Sequence, residues 1–290
     1  MTEIQLNDPQ ALYRNWEREQ WNPWEIDLSR DAKRWRSRFG AEERELVLWA
    51  LSSLMVAEER ITTKFGGLVL AAESEEEAAF LASQQVDEAR HMQFYARLQD
   101  EVIAEPEAIA GHVARSRERL GEPFSVIFDQ ALVSAHERLV ANPRDAAAKT
   151  AFVTTYHLII ESTLGLTAFE FITRYLTEND LLPGFVDGYT KIHHDEQRHI
   201  GYGVWFLRDA AANPAKAEQI RATLRELLPS TAAALAPPDE GADFQALGAS
   251  SDEIRDFALG GLTRRLKIVG VPLETLKYTG DRGTETASGR

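Results

Sequence analysis

Residues 192–206 read IHHDEQRHIGYGVWF, and an earlier stretch, 87–91, reads DEARH. Each contains a Glu-x-x-His pair: Glu88 with His91, and Glu196 with His199. Residues i and i+3 share a helix face, so each pair can direct a carboxylate and an imidazole at one point. Glutamate occupies 30 of 290 positions, so one such pair is weak evidence. Two pairs inside apolar helical stripes carry more weight. Leu81, Tyr95 and Leu98 accompany the first pair, and Ile192, Gly203 and Phe206 the second.

Two more glutamates interrupt apolar faces. Glu58 falls among Leu51, Leu54, Met55, Ile61 and Phe65, and Glu161 among Leu158, Leu164, Gly165 and Ala168. An unpaired buried carboxylate is costly, and a bound cation removes that cost. Glu59 shares its face with Ser52, Thr63 and Gly66, so Glu58 is the better ligand. The order Glu, Glu-x-x-His, Glu, Glu-x-x-His is that of dinuclear carboxylate sites in ferritin-like bundles. The expected metal ligands are therefore Glu58, Glu88, His91, Glu161, Glu196 and His199. Oxygen-rich ligation with two imidazoles suits iron or manganese, and the absence of cysteine excludes thiolate zinc sites and iron–sulfur clusters. Asp87 and Asp195, each preceding a ligand glutamate, are expected to hydrogen-bond a ligand histidine. His157 shares the face of Glu161 and is a further candidate there.

The rest of the chain reads as helices over 41–70, 73–103, 122–141, 145–176, 183–212, 216–235 and 252–269, with Pro229 kinking or ending the sixth. Residues 21–35, rich in Pro, Asp and aromatics, read as a structured lead-in rather than a helix. Strand alternation is nearly absent. The fold class is therefore all-α, a four-helix bundle with additional helices. Residues 1–278 are expected to form one domain, with a disordered polar tail over 279–290. A net charge of −14 disfavours nucleic acid as a partner. No transmembrane run or apolar signal core is evident, which with the lack of cysteine leads to an expected cytoplasmic location.

Three segments, EERIT (58–62), YHLIIESTLGLTAFEF (156–171) and LLPGFVDGYTKIHHDEQRHIGYG (181–203), add a resemblance. With the lead-in, over roughly residues 10–210, they resemble the small-subunit superfamily of class I ribonucleotide reductases. The likeness is greatest to its ligand-binding oxidases. The resemblance implies a ferritin-like fold and a manganese–iron or di-iron cofactor. It also implies a long-chain fatty acid bound beside the metals, dioxygen activation, a homodimer and an unidentified electron donor. It further implies an ether cross-link between a tyrosine and the β-carbon of a valine. The matching positions are Tyr156 and Ile61, and isoleucine also offers a tertiary β-carbon. Tyr95, four residues after His91, stands where reductase subunits store a tyrosyl radical, and is otherwise a core aromatic. Such a subunit also needs a docking tail, and here the tail offers only Tyr278. The rival functions are thus a radical-generating reductase subunit, a di-iron N-oxygenase and, outside enzymes, an iron-storage protein.

Overall fold

Long apolar stripes at helical spacing drive four helices to surrender one face each to a shared interior. The computed structural model describes residues 5–104, 106, 108–237 and 244–276. It begins with α1 (Pro9–Arg18), α2 (Ser29–Ser37), α3 (Ala41–Lys64), α4 (Gly66–Leu70) and α5 (Glu75–Leu98). It continues through α6 (Ile109–Arg117), α7 (Glu122–Ser125), α8 (Leu132–Ala141), α9 (Ala146–Val153) and α10 (Leu166–Glu178). It ends with α11 (Pro183–Ala211), α12 (Pro214–Ala234) and α13 (Ser251–Val269). No strand occurs among the described residues. Segments Gln99–Ile103, Val126–Ala131 and Thr154–Gly165 are wound as π-helix, with i→i+5 hydrogen bonds. The last of these joins α9 to α10 in one rod.

The four long elements are α3, α5, the α9–α10 rod and α11. α3 packs on α5, and α11 packs on both α5 and the π-wound segment. The architecture is a ferritin-like four-helix bundle with additional helices. Each long element crosses two apolar clusters. On α3, Met55 belongs to one and Ile61 to the other; on α5, Tyr95 and Leu81; on α11, Ile192 and Tyr202; on the rod, Leu176 and Tyr156. Glu58, Glu88, His91, Glu161, Glu196 and His199 all fall in sequence between those markers, so their level in the bundle is the seam between the two clusters. Gly203 sets how closely α11 approaches: a Cβ there would collide with the His157 side chain.

The lead-in differs from the sequence reading. It contains a 3₁₀ turn at Pro23–Glu25 and most of α2. Asp31 in the first turn of α2 is fully buried, which pins α2 in place. Its carboxylate accepts from Gly184 N at 2.9 Å and Phe185 N at 2.6 Å, the first free N–H groups of α11. Leu182 precedes them in the left-handed region, φ 37°, so the turn into α11 carries strain that the cap and Pro183 offset. The helix expected over 41–70 breaks at Phe65, and α6 was not anticipated. Pro229 does not end its helix, which continues to Ala234. The expected tail, 279–290, and Tyr278 lie outside the described residues. No helix among the described residues is long and apolar enough to cross a membrane.

Asp31→Ala leaves two buried N–H groups without an acceptor at the start of the longest helix. The expected loss is about 2 kcal/mol of unfolding free energy. Urea melts of chelator-treated protein measure it, and a loss below about 0.5 kcal/mol would mean that the cap is dispensable.

Candidate metal centre

α3 supplies Glu58, α5 supplies Glu88 and His91, the π-wound segment supplies Glu161, and α11 supplies Glu196 and His199. The six side chains converge in two overlapping groups. Glu58, Glu88, His91 and Glu196 form one; Glu88, Glu161 and His199 form the other. His91 Nδ1 lies 3.5 Å from Glu88, 3.6 Å from Glu58 and 3.7 Å from Glu196. His199 Nδ1 lies 3.0 Å from Glu161, 3.1 Å from Glu88 and 3.8 Å from Glu196. Glu88 and Glu196 thus reach both imidazoles, whereas Glu58 and Glu161 each serve one side.

Whether this cluster fits metal ions can be read from its unsatisfied atoms. Glu58 Oε2, Glu88 Oε2, Glu161 Oε2, Glu196 Oε2 and His91 Nδ1 are buried and make no hydrogen bond among the described residues. Orphaned buried polar atoms are rare, and each costs about 1–3 kcal/mol or more when charged. Five in one cluster, all oxygen or imidazole nitrogen, fit a pair of hard or borderline divalent cations.

The remaining imidazole nitrogens are engaged. Nε2 of His91 faces Asp195 at 3.1 Å, and Nε2 of His199 faces Asp87 at 3.2 Å. The two aspartates expected to orient ligand histidines therefore do so crosswise, each holding the histidine of the other helix. Orienting Nε2 leaves Nδ1 free to face the centre. Trp21 Nε1 donates to Asp195 at 2.7 Å, and Trp16 Nε1 donates to Asp87 at 2.8 Å. Arg90 pairs with Asp87 at 2.7 Å, and Arg198 pairs with both aspartates. The sequence reading passed over Trp16, Trp21, Arg90 and Arg198. The arginine common to DEARH and DEQRH was the available signal.

Tyr156 also belongs to this site. Its hydroxyl donates to Glu88 Oε1 and accepts from Gln84 Nε2 at 3.1 Å. In an α-helix a residue five positions before Glu161 points about 140° away. The i→i+5 winding of Thr154–Gly165 removes most of that offset. His157, by contrast, faces Gln84 and belongs to neither carboxylate group. Tyr95 is buried among Phe94, Phe185 and Tyr189, and its hydroxyl has no hydrogen-bond partner among the described residues. His136 accepts a hydrogen bond from Gly67 N at 3.2 Å.

An apolar cavity of about 150 Å³ opens onto the cluster. Glu58, Glu161 and Glu196 form one wall, and Ile61, Phe128, Ile160, Leu164 and Phe171 are among the apolar remainder. A single water needs only about 10–15 Å³ on this measure. No Lys, Arg or His lines the cavity among the described residues.

Without metal, the cluster holds protons instead. Burial raises Glu58 to about 7, and burial followed by the Glu161 and Glu88 charges raises Glu196 well above the usual carboxylate range. Burial raises Glu161 as well. Burial opposes charge on His91 and His199, but facing carboxylates overcome it and hold both above the usual histidine value. Burial likewise opposes charge on Glu88, but the His199 and His91 imidazoles hold it below its ordinary value. The raised groups keep protons that the unfolded chain releases from its ordinary values of 4.5 and 6.5. Their stabilisation is full below those values and is lost as pH rises through the folded ones. Glu88 and Asp195, shifted down, act in the opposite sense only below about pH 4.5. His157, held neutral by burial, acts in the opposite sense through about pH 6.5, so metal-free protein is expected to melt at progressively lower temperature from about pH 7 to 9, and metal-loaded protein to resist that fall. Calorimetry across this range, with and without chelator, checks both curves; a metal-free curve that rises with pH contradicts the assignment.

Comparison with known proteins gives the geometry a family. The description "Ribonucleotide reductase, small chain" matches residues 1–257. Among solved structures, a tyrosine-to-phenylalanine variant of an R2-like ligand-binding oxidase with aerobically reconstituted Mn/Fe cofactor is 23% identical. It superposes with a TM-score of 0.77, over 90% of this chain and 93% of that one. A valine-to-isoleucine variant of an R2-like ligand-binding oxidase with anaerobically reconstituted Mn/Fe cofactor is 24% identical, with a TM-score of 0.78 over 91% and 94%. At these identities the likeness concerns the fold. The match across most of the sequence carries the assignment: the chain belongs to the ribonucleotide reductase small-chain family of dinuclear-metal oxidoreductases.

Proposed function

We propose that this protein is a ligand-binding oxidase. In this reading Glu58, Glu88, His91, Glu161, Glu196 and His199 hold two metal ions, manganese and iron or two irons. A long-chain fatty acid or similar lipid occupies the adjoining cavity. The observation that carries the proposal is an apolar cavity whose polar end is made of glutamates and lacks any protein cation. An anionic headgroup facing Glu58, Glu161 and Glu196 is repelled unless cations stand between. The cavity therefore suits a fatty acid only when the metals are bound. The names of the similar structures, which pair ligand binding with a Mn/Fe cofactor, support the same reading.

Bound in this cluster, the metals would supply two of the four electrons that reduce dioxygen to water. The chain contributes the rest. Glu88 Oε1 accepts the hydrogen bond of the Tyr156 hydroxyl and receives its proton. Ile61 is buried and faces the cavity beside Glu58, with a tertiary Cβ–H as the weaker bond to break. Loss of the Tyr156 O–H and Ile61 Cβ–H hydrogens, with formation of an O–Cβ bond, gives dioxygen two protons and the other two electrons, and two further protons from solvent complete its reduction to two waters. Asp87, Asp195 and the two tryptophans keep His91 and His199 in one orientation throughout. A homodimer in the cytoplasm, served by an unidentified electron donor, completes the proposal.

A second reading is a reductase subunit that stores a radical on Tyr95, and the family match itself favours it. Against it, the Tyr95 hydroxyl makes no hydrogen bond to the carboxylate cluster. An N-oxygenase has no specific observation in its favour.

Peptide mapping of protein loaded with metal in air is expected to give a Tyr156–Ile61 linked peptide lighter by two hydrogens. Tyr156→Phe should abolish the link. An unlinked wild-type pair together with a stable paramagnetic tyrosyl signal lost in Tyr95→Phe would establish the reductase reading instead. Native mass spectrometry should find lipid bound only to metal-loaded protein, with at least about tenfold less after chelation; lipid retained equally by the metal-free chain would refute the role given to the metals.

A further inference from the structure

Lys149 lies in the interior, only 2% exposed, where a lone ammonium is strongly disfavoured. Its Nζ pairs with Glu77 at 2.9 Å and reaches Glu73 at 3.1 Å. Glu77 is buried, and its Oε1 accepts the Tyr202 hydroxyl at 2.5 Å. None of these residues belongs to the carboxylate cluster. Glu73 is 69% exposed, so the chain of ionic contacts ends in solvent.

The ring of Tyr202 is also part of an aromatic row. It lies 5.3 Å from the His157 ring, which lies 4.5 Å from the ring of Tyr156. Tyr156 in turn is hydrogen-bonded to Glu88. On the outer side, the half-buried Trp205 ring is 5.9 Å from Tyr202. Aromatic side chains therefore run without a gap from Trp205 through Tyr202 and His157 to Tyr156. Gly203 permits the close approach that places His157 in this row.

We propose that Tyr202 is a redox-active relay between the surface at Trp205 and the metal centre, with Glu77 as its proton acceptor. The inference rests on the metal-centre reading above. The oxidant is the centre after its reaction with dioxygen, and the reductant is a one-electron donor at the Trp205 face. One electron leaves Tyr202 inward through His157 and Tyr156. At the same time the O–H bond of Tyr202 breaks and its proton passes to Glu77 Oε1. An electron arriving through Trp205 then reduces the neutral tyrosyl radical, and Glu77 returns the proton. One electron crosses, with no net proton movement. Burial and the neighbouring Glu77 raise the Tyr202 phenol well above its ordinary value, so the proton leaves only together with the electron. Lys149 holds the Glu77 carboxylate in place by direct ion pairing.

The chain has no cysteine, so a single Asp209→Cys, exposed and one turn beyond Trp205, can carry a ruthenium photo-oxidant. Flash oxidation of the metal-free labelled protein should produce the tyrosyl absorption within the lifetime of the oxidant. Tyr202→Phe should cut its yield at least about tenfold, and Glu77→Gln should slow its formation by about as much. Should Glu77→Gln fail to fold with Lys149 unpaired, Glu77→Gln/Lys149→Met removes the acceptor without stranding the charge. With iron(II) in the centre and air excluded, the radical should decay about tenfold faster than with zinc, because only iron can refill it. A signal that persists in Tyr202→Phe overturns the relay, and equal decay with iron and zinc overturns its connection to the centre. A chain that takes up no metal would instead refute the metal-centre reading, while the metal-free flash result still decides the role of Tyr202.

Discussion

Four carboxylates and two imidazoles buried at the seam between two apolar clusters are the constraint to which the rest of the molecule answers. Each charge removed from water costs several kcal/mol unless it is compensated. The structure compensates around the edge of the cluster, not within it. Asp87, Asp195, Arg90, Arg198, Trp16 and Trp21 satisfy the outer imidazole nitrogens and one another. One oxygen of each of the four carboxylates is left bare. That division suits a site whose interior is completed by cations and whose frame stays fixed when they come and go. The short helices before the bundle serve the same end. α1 brings Trp16 to Asp87, the turn after it brings Trp21 to Asp195, and α2 anchors the N-terminus of α11 through Asp31.

Much of the centre was legible in the sequence because ligand spacing is a helix property. Glu88 with His91, and Glu196 with His199, meet on one face at i, i+3, and the apolar stripes around Glu58 and Glu161 mark which glutamates turn inward. The choice of Glu58 over Glu59 rested on such a stripe. Glu58 is buried in the cluster, and Glu59 pairs with Arg117 at 3.2 Å nearer the surface. The bundle was legible for the same reason.

What was hidden depended on contacts between distant segments or on departures from α-helical phase. Tyr156 is off the ligand face at α spacing and is brought to Glu88 by π winding, which no local pattern announces. α2 was obscured by a composition of Pro, Asp and Trp that reads as loop; its ordering comes from Asp31 meeting backbone 153 residues later. The roles of Trp16 and Trp21 depend on aspartates more than 70 positions away. His157, chosen for sharing a face with Glu161, instead turns to Gln84 because π winding changes which positions share that face.

The exchange of partners between the two motifs has a consequence for how the protein matures. His91 on α5 is oriented by Asp195 of α11, and His199 on α11 by Asp87 of α5. Neither helix can present a correctly turned imidazole alone, so a nascent chain with one helix still undocked offers no ready-made half-site. Metal capture is thereby tied to completed assembly of the bundle. On the proposed reading, premature uptake of metal by partly folded chains would be discouraged by the wiring of the fold itself.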